Sequence, residues 1–237
     1  MKKVIFGIGL ALLIAFFTGS LAVGAEEEIV VFARPEGFVS LDPQNNHHLS
    51  NMIVDKLIYD RLVEITPKAE IVPGLAERWK VSDDGISVTF YLRKGIKFHN
   101  GEPFNSESVK FTLERLRDNP ELLRSRTLGP DQIEKIEIID DNTCVLHLKQ
   151  PYGPLFMCLA QYFSMLPPKA YAEQKDELWK NPIGTGPFKF VEYVRDVRYV
   201  VEANRSYWQK GIPKVDKVVY KPIKEPSTLI ASILTGD

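Results

Sequence analysis

Adjacent carboxylates and a glycine-rich turn are the features of this sequence that could do chemistry, yet neither is spaced for catalysis. Asp83 and Asp84 precede Gly85, which predicts a turn whose aspartates bond backbone groups, not an acid and base pair. The Gly-Thr-Gly run at residues 184–186 resembles a phosphate cradle, but Pro187 lacks the N–H group that a cradle needs. The sequence contains no nucleophile elbow, phosphate-binding loop, zinc-protease helix motif or Cys-x-x-Cys pair. We therefore predict that the chain is not an enzyme, and we predict no cofactor.

Histidines and cysteines are the candidate metal ligands. His47 and His48 are adjacent on a predicted loop, where such pairs more often face water than converge on a metal, and no third ligand lies nearby in sequence. Cys144 and Cys158 lie in apolar segments, and we favour two buried thiols over a disulfide. A metal held by both cysteines is least favoured, because no histidine or acidic residue stands at a diagnostic spacing beside either. We predict no metal site.

Short strands and capped helices must position these groups. A β-branched run at residues 28–33 predicts a first strand, and a loop shaped by prolines and glycine follows it. Ser50 is the expected cap of the next helix. The apolar residues of that helix recur at helical spacing: Ile53, Val54, Leu57, Ile58 and Leu62. Residues 73–111 then predict strand, turn, strand, turn and a helix capped by Asn105.

The residue order in this last segment resembles one protein family closely. Residues 73–85 read P-G-L-A-E-R-W-K-V-S-D-D-G, and residues 89–103 read T-F-Y-L-R-K-G-I-K-F-H-N-G-E-P. Three further matches stand in the family's order: S-L-D-P at 40–43, N-P-I-G-T-G-P-F at 181–188, and E-A-N with Y-W within 202–208. On these motifs the chain resembles the family 5 extracellular solute-binding proteins of ABC transporters, the oligopeptide, dipeptide and nickel type.

The resemblance implies an α/β fold, a lobe like that of type II periplasmic binding proteins with an inserted α+β subdomain. Residues 26–62 and 183–237 would form the first lobe, and residues 63–182 the inserted subdomain. The second lobe of such proteins is missing from the chain. Family members are roughly twice this length, so the sequence is either a fragment or a naturally truncated protein. A lobe without its returning segment would expose apolar surface and a strand edge, so we expect this chain alone to aggregate or to unfold at low denaturant.

Residues 1–25 have the three parts of a secretory signal: two lysines, an apolar run, and Val-Gly-Ala before the first acidic residues. The apolar run is shorter than the roughly 20 residues that cross a bilayer, so we expect cleavage and a periplasmic location. No cysteine follows the small residues, which argues against a lipid anchor. A formal net charge of −1 without a lysine or arginine cluster argues against a nucleic-acid partner.

The resemblance also implies a function. Such a protein captures di- or oligopeptide-like solutes, closes around them, and delivers them to the permease of an ABC importer; when whole it is expected to be monomeric. Nickel or another metal complex is the alternative ligand, and a truncated sensor or interaction domain is the alternative from another class. In the first lobe we expect ligand contacts from Arg34, Phe38, His47 and His48. The charge-pairing residues would lie in the second lobe.

Overall fold

The computed structural model describes residues 27–38, 40–46 and 48–235, except for the side chain of Ile233. The predicted leader, residues 1–25, lies outside the described residues. The strands are β1 Ile29–Arg34, β2 Val63–Ile65, β3 Ile71–Pro73, β4 Ala76–Val81, β5 Ser87–Leu92, β6 Ile133–Asp140, β7 Thr143–Leu148, β8 Phe188–Val194, β9 Arg198–Ala203 and β10 Lys217–Pro222. The helices are α1 Leu49–Ile58, α2 Ser106–Asp118, α3 Leu155–Tyr162, α4 Pro168–Gln174 and α5 Pro226–Thr235, with short 3-10 helices at Leu123–Arg126 and Lys175–Lys180.

The first sheet joins strands from both ends of the described chain, in the order β1-β10-β9-β8. β1 runs parallel to β10, with Val31 opposite Val219, and the other neighbours are antiparallel. Valine is the commonest residue in these strands, in keeping with the fit of β-branched side chains to a pleated surface. Tyr199 and Tyr220 of the sheet share one buried core with Ile58 of α1.

The strands of the second sheet come between β1 and β8 in the sequence. Their order in the sheet is β4-β5-β7-β6, and all neighbours are antiparallel. Every second residue of β5 and β7 is buried, as the alternation in sequence predicts. The inward residues are Val88, Phe90, Leu92, Cys144, Leu146 and Leu148. Leu113 and Leu116 of α2 belong to the same core. β2 and β3 form a separate small hairpin.

Helix α2 begins as its sequence predicts. The Asn105 side chain accepts hydrogen bonds from the backbone N–H groups of Glu107 at 3.1 Å and Ser108 at 3.4 Å. The Ser108 hydroxyl accepts in return from the Asn105 N–H at 3.4 Å, which completes a capping box. The expected cap at Asn105 is therefore confirmed, and the helix direction that follows from it is fixed by local hydrogen bonds.

Helix α1 departs from the prediction at both ends. Its cap position is His48, in extended backbone, whereas Ser50 lies inside the helix and is buried. The Ser50 hydroxyl accepts a hydrogen bond from the Tyr220 hydroxyl at 3.0 Å, so a contact to the sheet has displaced the local capping role. The helix ends at Ile58, and Leu62 is buried in the extended segment beyond it.

The two cysteines are free thiols in the core of the second sheet. Burial raises the pKa of the Cys144 thiol to about 12, so the thiolate is disfavoured there. The favoured prediction of two buried thiols is confirmed.

Among the described residues, none of the helices combines the length and apolar character needed to span a bilayer.

Candidate functional site

An open cleft of about 880 Å³ lies where three distant segments meet. Its volume falls within the roughly 300–1,000 Å³ of small-molecule sites. One wall is the loop after β1 (the β1 loop, described at residues 35–38, 40–46 and 48), the second is the end of the Lys175–Lys180 helix, and the third is the β8–β9 hairpin. The lining residues are Phe38, Ser40, Leu41, Trp179, Lys180, Asn181, Phe190, Val191, Glu192, Tyr193 and Arg195.

Aromatic rings form the floor of the cleft. The Phe38 ring is buried, with its centroid 4.7 Å from that of Tyr220, 5.3 Å from Tyr199 and 5.6 Å from Tyr193. Trp179 and Tyr193 are only half-buried and keep part of their surface open to the cleft. Such rings offer apolar faces with polar edges, which suits an amphipathic solute.

Each charged side chain at the rim of the cleft lies close to a neighbour of opposite charge. Lys180 Nζ lies 2.7 Å from Glu177, and Glu192 accepts from Arg198 Nε at 2.6 Å. Arg195 is the most exposed of them, with 86 % of its side chain exposed and its Nε 4.0 Å from Asp196. Pairs this exposed contribute little to stability.

The β1 loop is held from beneath by a buried ion pair. Arg115 of α2 donates from Nη2 to Asp42 Oδ2 at 2.6 Å and from Nη1 to Asp42 Oδ1 at 3.2 Å. The same Nη1 donates to Gln44 Oε1 at 2.7 Å, and Gln44 Nε2 donates to the Thr112 carbonyl at 2.8 Å. Two-pronged bonding of this kind fixes orientation as well as distance.

A second set of buried groups supports the same loop. Asn46 Nδ2 donates to the Asp42 carbonyl at 2.9 Å and to Asp55 Oδ2 at 3.2 Å, and Arg124 Nη2 lies 3.4 Å from Asn46 Oδ1. Burial raises the pKa of the Asp55 carboxyl to about 7, against the opposing pull of Arg61. The loop that carries Phe38 is therefore anchored by polar side chains from several elements.

The turn at residues 184–187 (the return turn) packs closely against the end of α1. A Cβ on Gly184 would lie 2.0 Å from the Ile58 carbonyl oxygen, so only glycine fits. His99 bridges this turn: its Nδ1 accepts from the Gly184 N–H at 3.3 Å, and its Nε2 donates to the Gly186 carbonyl at 3.0 Å. Burial lowers the pKa of His99 to about 4, which keeps the ring neutral in this tautomer.

Asp60 completes this junction. Its carboxylate accepts from the Tyr207 hydroxyl at 2.7 Å, from the Thr185 hydroxyl at 2.9 Å and from Trp208 Nε1 at 3.0 Å. Burial raises the pKa of Asp60, and the three donors act in the opposite direction. The Asp60 carboxylate therefore binds structural partners, which explains why the Tyr-Trp motif follows the return turn.

Of the four residues that we expected to contact ligand, the structure does not bring together the three that it describes. Phe38 lines the cleft. Arg34 ends β1 and donates to Glu36 at 3.2 Å, and half-buried His48 precedes α1; neither is among the cleft-lining residues. His47 lies outside the described residues. Within the described part of the chain, no group of three or more histidine, cysteine or acidic side chains is placed to hold a metal.

The cleft residues that the sequence did not single out come from the far walls. Trp179 was one of many aromatics in an apolar middle segment, with nothing local to separate a wall residue from a core residue. Tyr193 and Arg195 lie on and beyond β8, and the alternation of that strand could have marked Tyr193 as facing one side. Neither signal predicts proximity to Phe38, because that depends on the pairing of β8 within the sheet.

Comparison with known proteins agrees with this architecture. Residues 70–237 match the family described as bacterial extracellular solute-binding proteins, family 5, middle region. The glutathione-binding protein GsiB of Escherichia coli O1:K1 is 34% identical over 235 residues, which cover 99% of this chain and 44% of GsiB. The chain thus spans less than half the length of this curated relative.

Two solved structures show the same fold. The dipeptide-binding protein of Pseudoalteromonas sp. SM9913, in complex with Met-Leu, superposes with a TM-score of 0.80 and 31% identity over 89% of this chain and 46% of that protein. NikZ of Campylobacter jejuni, in complex with Ni(L-His), gives a TM-score of 0.78 over 89% of this chain and 42% of NikZ. At 24% identity, the NikZ likeness concerns the fold alone.

Proposed function

Because this chain belongs to the family 5 bacterial extracellular solute-binding proteins, we propose that it serves as the solute-binding component of an ABC importer and captures peptide-like solutes. The family match over residues 70–237 is the observation that carries this proposal. The open cleft beside Phe38 supports it, because an aromatic floor beneath a polar rim suits a solute that has both side chains and a charged backbone.

As the solute of this chain, we favour a peptide over a metal complex. One relative, at 34% identity, is named as a glutathione-binding protein, and another, at 31% identity, is a dipeptide-binding protein in complex with Met-Leu. Glutathione and Met-Leu both contain amide bonds. The nickel alternative has weaker support, because the likeness to NikZ concerns the fold alone and the described residues offer no cluster of metal ligands.

Residues 26–62 and 183–237 are proposed as the first lobe and residues 63–182 as the inserted subdomain, in line with the strands that compose the two sheets.

The mechanism we propose is closure of the cleft over a bound solute. The solute would rest its apolar groups on the aromatic floor, and a further part of the whole protein would cover it. Closure excludes water, strengthens the hydrogen bonds to the solute, and presents a closed surface to the permease. The segment at residues 1–25 would direct export to the periplasm and be removed there.

The experiment is to recover the full-length protein from the periplasm of its native host, measure its intact mass, and identify the small molecules that denaturation releases. Titration calorimetry then tests Met-Leu, glutathione and Ni(L-His) as separate probes. We expect a co-purified or titratable peptide-like solute that binds at one site. Binding of Ni(L-His) without either peptide would replace the peptide proposal. If none of the three probes binds and denaturation releases no solute, a sensor or interaction role is favoured.

A further inference from the structure

We propose that Arg115 is a positioning residue for the cleft, because its guanidinium joins the β1 loop on one wall to Trp179 on another. This inference rests on the proposed function, since it assigns a role in forming that same site. Arg115 does not itself line the cleft. It acts through the residues that do.

The edge of the guanidinium holds the first wall. Its Nη atoms bond both carboxylate oxygens of Asp42, at 2.6 and 3.2 Å. Asp42 directly follows Ser40 and Leu41, which line the cleft. The Asp42 N–H also donates to the Ser40 hydroxyl at 3.1 Å, so the position of Asp42 is passed on to the cleft wall.

The face of the same guanidinium holds the second wall. The Arg115 Cζ atom lies over the Trp179 ring at 5.1 Å from its centroid and over the Tyr171 ring at 5.2 Å. The Tyr171 and Trp179 rings are themselves 5.8 Å apart. A planar cation can bond through its edge and stack through its face at once, and an ammonium group cannot.

Because the Arg115–Asp42 ion pair is buried, its main contribution is a fixed geometry and not folding free energy. The side chains of Arg115 and Asp42 are 7% and 6% exposed. A buried ion pair gains little net free energy, because removing both charges from water offsets most of their attraction. What the pair does provide is a fixed relation between α2, the β1 loop and the segment around Trp179, which are far apart in sequence.

The test compares Arg115→Lys with Arg117→Lys in the full-length protein labelled with 5-fluorotryptophan. Trp79, Trp179 and Trp208 each give a ¹⁹F resonance that a single Trp→Phe variant assigns, whatever other tryptophans the full-length protein contains. Arg117 lies on the same helix but pairs with the partly exposed Glu114 and Asp118, which makes it the matched control.

For Arg115→Lys we expect the Trp179 resonance to shift while those of Trp79 and Trp208 stay in place. We expect affinity for Met-Leu or glutathione to fall about tenfold, which corresponds to ~1.4 kcal/mol. Arg117→Lys should change neither quantity. An Arg115→Lys protein with an unmoved Trp179 resonance and wild-type affinity would overturn the proposal, because charge alone would then suffice.

A second variant covers loss of folding. Asp42→Asn with Arg115→Gln removes both charges together, so no buried charge is left unpaired, and it should give the same Trp179 shift. Should the wild-type protein bind neither peptide, the proposed function fails, but the Trp179 resonance still decides the positioning role. A shift of all three resonances together would indicate general unfolding and would count against a specific role for Arg115.

Discussion

The return-turn junction and the cleft are both assembled from segments distant in sequence, yet they differ in how completely their groups are satisfied. At the junction, the Asp60 oxygens and both His99 ring nitrogens have partners, and Gly184 lies against backbone. At the cleft, Trp179 and Tyr193 stay half-buried and the rim charges are exposed. The groups of the junction are therefore satisfied within the chain, whereas part of the aromatic and charged surface of the cleft stays exposed.

The largest effect should come from Gly184→Ala. The new methyl carbon would lie 2.0 Å from the Ile58 carbonyl oxygen, so α1 and the return turn must separate. We expect a loss of about 3 kcal/mol of unfolding free energy, measured by denaturant titration. Gly153→Ala is the control, because a methyl group there meets no atom within 4 Å. Equal stability of the two variants would show that the junction is not rigid.

Asp60→Ala should have the next largest effect. It removes the acceptor of three hydrogen bonds, from Thr185, Tyr207 and Trp208. Since the two aromatic donors are partly exposed and can reach water, we expect a loss of about 2 kcal/mol in unfolding free energy. Asp60→Asn keeps one carbonyl oxygen, and the Tyr207 hydroxyl can accept from its new N–H, so its loss should be smaller. If Asn costs as much as Ala, charge and not hydrogen bonding is what matters there.

The cleft should show the opposite pattern. Tyr193→Ala removes a half-buried ring from the floor, and we expect about fivefold weaker peptide binding, equivalent to ~1 kcal/mol. The unfolding free energy should fall less than for Asp60→Ala. Tyr193→Phe keeps the ring and should bind nearly as well as the wild type. A Tyr193→Ala protein that loses stability but keeps its affinity would make Tyr193 a core residue.

A separate prediction concerns pH. Burial lowers the pKa of His99 from 6.5 to about 4, so the unfolded state binds more protons between these values. The unfolding free energy should therefore fall as pH decreases from about 6.5 to about 4, and His99 should contribute no pH dependence above that window. His99→Gln retains an N–H donor without a titrating group, so the difference between variant and wild type isolates this contribution. A constant difference across the window would contradict it.

Much of the fold follows from local rules that a sequence displays. The Asn105 capping box, the turn after Asp83, and the alternation of β5 and β7 each depend on residues a few positions apart. Ser50 shows where such rules fail. It is a suitable cap by type, but a hydrogen bond with Tyr220, far along the chain, decides its position.

The cleft was less accessible to sequence reasoning because its walls depend on long-range pairing. Phe38 was predicted from the loop that carries it, whereas Trp179 and Tyr193 reach the same cleft only through the packing of the first sheet. Arg34 ends β1 and His48 precedes α1, so they stand at the two ends of the loop, and neither lines the cleft. Proximity in sequence identified the loop and did not identify which of its side chains face the cavity.

The parallel pairing of β1 with β10 also predicts an order of folding. β1 is among the first described segments, and the strand that pairs with it comes near the end of the described chain. The strands of the second sheet, by contrast, all lie within residues 76–148. Contacts between distant residues form slowly, because closing a long loop costs entropy before any contact compensates for it. We therefore expect the second sheet to form before β1 pairs with β10.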